Sequence, residues 1–183
     1  MALMLPNETK PRFWGALLAI LAVFGLAALG CATQHARPAP DEGAAFVERD
    51  LRREGLRFGT DGSTRALWGY LSSAHQVVAA ASARPGDVLF FDTRASAAVP
   101  SCDDAGHAGI VQAVSHDGRI TFVEARGGRV RRSYADPVRP TLRRDGRGQI
   151  ANTFLRPKRM DDPTSARYFA GEMLCGVARP HLR

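Results

Sequence analysis

Hydrophobic positions recur with a helical period in the first part of the chain after residue 42. This period predicts a first helix that ends near Gly55. Its apolar positions are Phe46, Val47 and Leu51. A second helix is predicted from about residue 63 into the seventies, with Ser63 or Thr64 as the N-terminal cap. Its apolar face comprises Leu67, Tyr70, Leu71, Ala74 and Val78.

From residue 85 the pattern changes to short apolar runs bounded by turn residues. Strands are predicted in "VLFF" after a Pro-Gly-Asp turn, in "HAGIVQAV" and in "RITFVEA", with "HDG" as the hairpin turn between the last two. A short strand or turn around Val130, a basic turn-rich region at 139–149 and a last strand in "IANTFLRP" follow. The segment "TSARYFAGEMLCGVA" is predicted to form a C-terminal helix. Helices followed by antiparallel strands predict an α+β fold.

The N-terminal segment has the pattern of an export signal. Lys10 and Arg12 precede an uninterrupted apolar stretch at 13–30, and Cys31 follows directly. A basic region, an apolar core and small residues before a cleavage site describe a signal peptide. The position of Cys31 resembles that of the lipidated cysteine in a bacterial lipobox. The stretch is also long enough to remain as a membrane anchor.

Both interpretations place the rest of the chain outside the inner membrane, because the positive charges precede the apolar stretch. We therefore predict a signal segment or anchor at 1–31, a tether at 32–42 and one domain at 43–183. The expected location is the bacterial cell envelope, with a lipid anchor, on the periplasmic or outer-surface side. The membrane is thus one expected partner.

Composition and charge limit the kinds of partner and cofactor that the protein is expected to bind. The formal net charge of +7 favours anionic partners. The sequence has no nucleic-acid motif, no metal-binding cysteine spacing and no phosphate-binding glycine loop, so we expect no nucleic acid, metal or cofactor. With Cys31 lipidated, Cys102 and Cys175 remain as a pair in an oxidising compartment, and we predict that they form a disulfide.

Three segments together resemble the NlpC-type cell-wall cysteine peptidases, whose fold is papain-like. They are "RPGDVLFFDT", "DDAGHAGIVQAV" and "DGRITFVEARGGRVRRS", and the resemblance runs from about residue 43 to the C-terminus. In that family a thiolate at a helix N-terminus attacks a peptide carbonyl, a histidine on a strand pairs with it, and a third polar group orients the ring. The resemblance implies that His107 is the histidine and Glu124 the third group.

The family's nucleophile is missing from the matching segment. Its Asp-Cys-Ser or Asp-Cys-Thr pattern at the start of the second helix corresponds to "GTDGSTRALWGYL", with Gly62 in the position of the thiol and Asp61, Ser63 and Tyr70 retained around it. Glycine has no side chain, so no covalent intermediate forms there. The resemblance therefore implies a degenerate domain that binds cell-wall peptide or an envelope protein without cleaving it. Besides Asp61, Ser63 and Tyr70, the binding candidates are Trp68 and Arg126.

An active cysteine hydrolase is the alternative, acting on peptidoglycan stem peptides or on an acyl ester. Its nucleophile would be Cys102 or Cys175, and the latter follows His107 and Glu124 as in circularly permuted relatives. Cys175 lies at the end of the predicted C-terminal helix, where no helix N-terminus lowers the pKa of a thiol. A structural lipoprotein within a larger envelope complex is a third class.

Overall fold

Two helices precede an antiparallel sheet in the computed structural model, which describes residues 41–56, 62–94 and 99–181. The elements are α1 (Glu42–Arg53), α2 (Thr64–Ser73), β1 (Val77–Val78), β2 (Val88–Phe91), β3 (His107–Val114), β4 (Ile120–Arg126), β5 (Arg129–Ala135), α3 (Ala170–Met173) and β6 (Leu174–Ala178). The strands form one sheet in the order β1-β6-β2-β3-β4-β5, and every pair of neighbours is antiparallel. The predicted α+β fold is confirmed.

Side-chain caps define the starts of both long helices. Asp41 accepts a hydrogen bond from the backbone N–H of Gly43 at 3.0 Å, and the Ser63 hydroxyl accepts one from Ala66 at 3.1 Å. These caps satisfy backbone donors that have no partner within the helix. The hydroxyl of Thr64 donates to the second carboxylate oxygen of Asp41. The N-termini of α1 and α2 therefore lie next to each other.

Both faces of the sheet are covered. Strand β2 shows this most clearly, because all four of its side chains are buried. Val88 and Phe90 pack with the apolar faces of α1 and α2, whereas Leu89 and Phe91 join a second cluster that includes Leu155. Successive side chains of a strand point to opposite faces, so these are two separate core layers. A strand buried on both faces reads as a continuous apolar run, which is why "VLFF" has no alternation.

The C-terminal part of the chain differs from the prediction. The predicted helix there is one short turn, α3, and the chain continues as strand β6 between β1 and β2. Val177 and Ala178 are buried in this position, so pairing in the sheet overrides the helical spacing of the apolar residues. The predicted strand in "IANTFLRP" is absent from the described residues, where two isolated bridges join Ile150 to Arg144 and Phe154 to Phe169.

The second helix is also shorter than predicted. It ends at Ser73, and Val78 lies in strand β1 instead of on the helix face. His75 adopts a positive φ of 55°, a conformation that a helix does not continue through. Pairing of Val77 and Val78 with β6 then holds the chain extended.

Several sequence-based predictions fall on residues that the structure does not describe. The predicted signal or anchor at 1–31, Cys31, most of the tether and Asp61 lie outside the described residues. Helix α1 begins at Glu42, so the end of the predicted tether is already part of the folded domain. Within the described ranges, no helix is long and apolar enough to cross a membrane.

Candidate functional site

His107 and Glu124 meet in a buried hydrogen bond at one end of the sheet. His107 is the first residue of β3, and Glu124 lies on the neighbouring strand β4. Their atoms Nε2 and Oε2 are 2.5 Å apart. The imidazole is 7% exposed and Glu124 is fully buried, at 0%. The structure thus brings together the two residues that the family resemblance selects.

The carboxylate of Glu124 has further partners. The Ser133 hydroxyl on β5 donates to Oε1 at 2.5 Å, and the Arg126 guanidinium lies 3.5 Å from the same oxygen. Burial alone raises the pKa of Glu124, but the hydrogen bonds from His107 and Ser133 outweigh it, so the pKa is lowered from its ordinary value. The group is therefore a carboxylate that accepts from both neighbours, and Nε2 of the ring is the donor.

The opposite side of the imidazole ring faces the first turn of α1. A Cβ placed on Gly43 would lie 2.7 Å from Nδ1 and 2.9 Å from Cε1 of His107, and 2.9 Å from the carbonyl oxygen of Ala108. These distances are shorter than van der Waals contact. The ring therefore occupies the space where any side chain at position 43 would begin.

Gly43, which the sequence analysis did not single out, is the glycine that the structure places against the ring. The assignment of Gly62 to the lost nucleophile position stays a prediction. Gly62 precedes the Ser63 cap of α2, a helix that packs on the Cys102–Asp104 turn, on α1 and on β6. Helix α1 is the one that packs across β3 and β4. Gly62 also has a φ of 81°, which a residue with a side chain adopts only at a cost of roughly 1–2 kcal/mol.

Cys102 and Cys175 are joined in a disulfide, with their Cα atoms 5.2 Å apart. The predicted pairing is confirmed. Cys102 lies in a short 3-10 turn, and Cys175 lies on strand β6 and not at the end of a helix. A sulfur in a disulfide carries no thiolate, so neither cysteine is a nucleophile in this state.

Comparison with family models and with curated proteins gives no match for this chain. Among solved structures, the chain is similar to an N-acetylmuramoyl-L-alanine amidase from Staphylococcus aureus, with a TM-score of 0.37 and 18% sequence identity. The alignment covers 51% of this chain and 26% of the amidase chain. The match is distant and covers half of this chain. This chain in turn spans about a quarter of the amidase's length.

The predicted binding residues have separate roles in the structure. Ser63 caps α2, and Tyr70 is half-buried against the core layer beneath the helices. Trp68 packs edge-on against Phe90, with ring centroids 5.1 Å apart. Arg126 donates to a backbone carbonyl at 2.8 Å and also approaches Glu124. Arg126 thus belongs to the surroundings of the His107–Glu124 pair.

Trp68 also lines an apolar groove of about 620 Å³. The groove runs beside β6, and its other walls include Val78, Pro137, Leu174 and Gly176. A Cβ on Gly176 would lie 2.6 Å from the Trp68 ring, so the glycine permits the indole to pack on the strand. In the sheet order, β6 is two strands away from the strand that carries His107.

Sequence reasoning missed two residues of the site, Gly43 and Ser133. Ser133 had a detectable signal, because it alternates with Ala135 as a small residue in the otherwise arginine-rich run "RVRRSYA". That alternation is typical of one buried strand face, and Ser133 is fully buried. Gly43 had no comparable signal, because its role depends on how α1 packs against β3.

Proposed function

We propose that this protein is an exported, lipid-anchored envelope protein whose NlpC-like domain binds cell-wall peptide, or a partner protein, without cleaving it. The observation that carries the proposal is the buried His107–Glu124 pair, which faces a glycine instead of a nucleophile. The pair retains the group that orients the histidine in the family's chemistry, because a carboxylate fixes the ring through Nε2. The nucleophile that attacks the peptide carbonyl is missing.

The first turn of α1 supports this interpretation. A helix N-terminus lowers the pKa of a thiol placed there. The N-terminus of α1 also lies next to the His107 ring, which would pair with such a thiol. Residues 41–43 are Asp, Glu and Gly, and none of them carries sulfur. The Asp41 carboxylate caps the helix, and Glu42 accepts a hydrogen bond from the backbone N–H of Gly128 at 3.0 Å. We infer that this turn is the degenerate counterpart of the family's nucleophile position.

The groove beside β6 is the proposed peptide-binding surface. Its volume of about 620 Å³ falls within the range of ligand pockets, and its lining is mainly apolar. Trp68 and the disulfide-bonded Cys175 are among its lining residues. The Cys102–Cys175 disulfide and the packing of Trp68 on Phe90 restrain these two residues before a ligand arrives, which reduces the entropy lost on binding.

Binding is tested by sedimenting the full chain with purified peptidoglycan sacculi. Ala79 is exposed, lines the groove, and is the site for a blocking substitution, Ala79→Trp. Ala113 is exposed on β3 and does not line the groove, so Ala113→Trp is the matched control. We expect Ala79→Trp to lower the bound fraction severalfold and Ala113→Trp to leave it unchanged. Equal binding by both variants would exclude the groove.

The hydrolase alternative requires a free thiol. Labelling of the native full chain with iodoacetamide tests it, since a disulfide between Cys102 and Cys175 leaves neither sulfur reactive. We expect neither position to be alkylated unless a reductant is added. One rapidly labelled thiol at either position in the native protein would favour the hydrolase.

A further inference from the structure

Positive charge is concentrated in one part of the chain. Residues 119–159 contain twelve of the 25 Lys and Arg residues but only three of the 18 Asp and Glu residues. Those three are Glu124, which is buried beside the imidazole, and Asp136 and Asp145. The rest of the chain has more acidic than basic residues. The positive net charge therefore comes entirely from this segment.

Contacts join the arginines of this segment into one surface. The Arg119 guanidinium donates to the carbonyl of Ile150 at 3.0 Å. Arg126 donates to the carbonyl of Phe154 at 2.8 Å, and the Arg143 guanidinium lies over the Phe154 ring, 5.2 Å from its centroid. Arg144 lines a hollow with Arg119 and Ile150, and Arg147 lines a second hollow with Arg119. We call this surface the basic face, and its members are Arg119, Arg126, Arg143, Arg144, Arg147, Ile150 and Phe154.

The same segment exposes apolar side chains. Of the nine large hydrophobic side chains that are exposed within the described residues, six lie between 130 and 160. They are Val130, Val138, Leu142, Ile150, Phe154 and Met160. Nucleic acid or a soluble anionic polymer would neutralise the arginines but would leave these side chains in water. A lipid interface accommodates both, because apolar side chains enter the headgroup region while arginines reach the phosphates.

We propose that the basic face docks the domain on a membrane surface rich in anionic phospholipid headgroups. The arginines pair with lipid phosphates, and Ile150 and Phe154 enter the interface between headgroups and acyl chains. The contact is a second membrane attachment besides the predicted N-terminal anchor, and it orients the domain on the membrane. The inference is independent of the proposed peptide binding, since the groove residues lie outside the basic face.

The test is hydroxyl-radical footprinting of the full chain reconstituted in vesicles, because the predicted N-terminal anchor is expected to attach the chain to either kind of bilayer. Vesicles of phosphatidylcholine with about one-third phosphatidylglycerol are compared with phosphatidylcholine alone. Phe154 is the reporter, because it belongs to the basic face and is exposed in the structure. We expect its oxidation to fall severalfold in the anionic vesicles only, and to recover at high salt because screening weakens the attraction.

Two triple variants test whether docking depends on the basic face or only on the total charge of the domain. Replacing Arg143, Arg144 and Arg147 with Gln removes three charges from the face, and each loss is expected to weaken docking about fivefold. Replacing Arg49, Arg53 and Arg65 with Gln removes the same charge from exposed positions on α1 and α2. We expect only the first variant to lose protection. Equal loss in both variants would overturn the proposal.

The variant Ile150→Gln and a soluble polyanion distinguish lipid from other anionic partners. Ile150→Gln retains every arginine, and we expect it to reduce protection in anionic vesicles, because the apolar side chain no longer enters the interface. Inorganic polyphosphate without vesicles is expected to leave Phe154 oxidation unchanged. Equal protection by polyphosphate, or equal protection in both kinds of vesicle, would contradict docking on anionic lipid.

Discussion

The substitution Gly43→Ala tests the packing of the imidazole against α1. The added methyl would lie 2.7 Å from Nδ1 of His107 and 2.9 Å from the carbonyl oxygen of Ala108. The first of these distances is about 0.8 Å shorter than the lower end of an ordinary contact. The ring cannot simply turn away, because its other nitrogen is hydrogen-bonded to Glu124 at 2.5 Å. Either α1 shifts from the sheet or the hydrogen bond is broken.

The expected magnitude follows from two opposing terms. Replacing glycine with alanine in a helix normally stabilises a protein by about 0.5–1 kcal/mol. An extra methyl in a filled site normally costs about 1–3 kcal/mol. We therefore expect Gly43→Ala to lower the free energy of unfolding by up to about 2.5 kcal/mol. Gly69 in the middle of α2 is the matched control, because a Cβ there meets nothing within 4 Å. We expect Gly69→Ala to raise the free energy of unfolding by about 0.5–1 kcal/mol.

The assay is urea unfolding of the full chain in mild detergent, with the two variants and the parent measured in parallel. Imidazole NMR signals provide a second readout, because those of His107 are expected to shift in Gly43→Ala and to stay in place in Gly69→Ala. Stabilisation by both substitutions to the same extent, with the His107 signals unmoved, would refute the placement of the ring beside α1.

Three further predictions concern the buried hydrogen bonds and the disulfide. Ser133→Ala is expected to lower the free energy of unfolding by about 1–3 kcal/mol, measured by urea unfolding, because it leaves a buried oxygen of Glu124 without its donor. The folded-state pKa of Glu124 is lowered, so its contribution to stability is fully present above the ordinary pKa of 4.5 and is lost as the pH falls through the folded value. Glu124→Gln should therefore flatten the acid limb of a stability–pH curve, and an unchanged limb would count against the assignment. Reducing the Cys102–Cys175 disulfide, which spans 73 residues, should lower the free energy of unfolding by up to about 4 kcal/mol, and no change in urea midpoint would contradict this.

The fold was predictable where the hydrophobic period was unambiguous. The first helix and strands β2, β3 and β4 follow directly from the helical spacing and from apolar runs bounded by turns. Strand β6 was not predictable, because Phe169, Met173 and Leu174 also fit a helical period. The burial of Val177 between β1 and β2 decides the outcome, and that burial is a property of the assembled sheet.

Only the part of the candidate site that lies on the strands was predictable from the sequence. His107 and Glu124 lie on adjacent strands, so local motifs and their order along the chain were sufficient to pair them. The helix N-terminus that faces the ring was ambiguous, because Asp41 and Asp61 each lie within two residues of a glycine that precedes an apolar helical pattern. Which of these helix N-termini approaches β3 depends on tertiary packing. The sequence alone therefore could not show that Gly43 lies against the imidazole.

The most direct test of the central claim is a search for bond cleavage in peptidoglycan. The full chain is incubated with purified sacculi, with and without reductant, and soluble fragments and new amino termini are identified by mass spectrometry. A domain whose imidazole faces Gly43 is expected to release no more fragments than a His107→Ala variant does. Fragments that the parent releases, and that disappear in His107→Ala, would contradict the account and identify a working hydrolase.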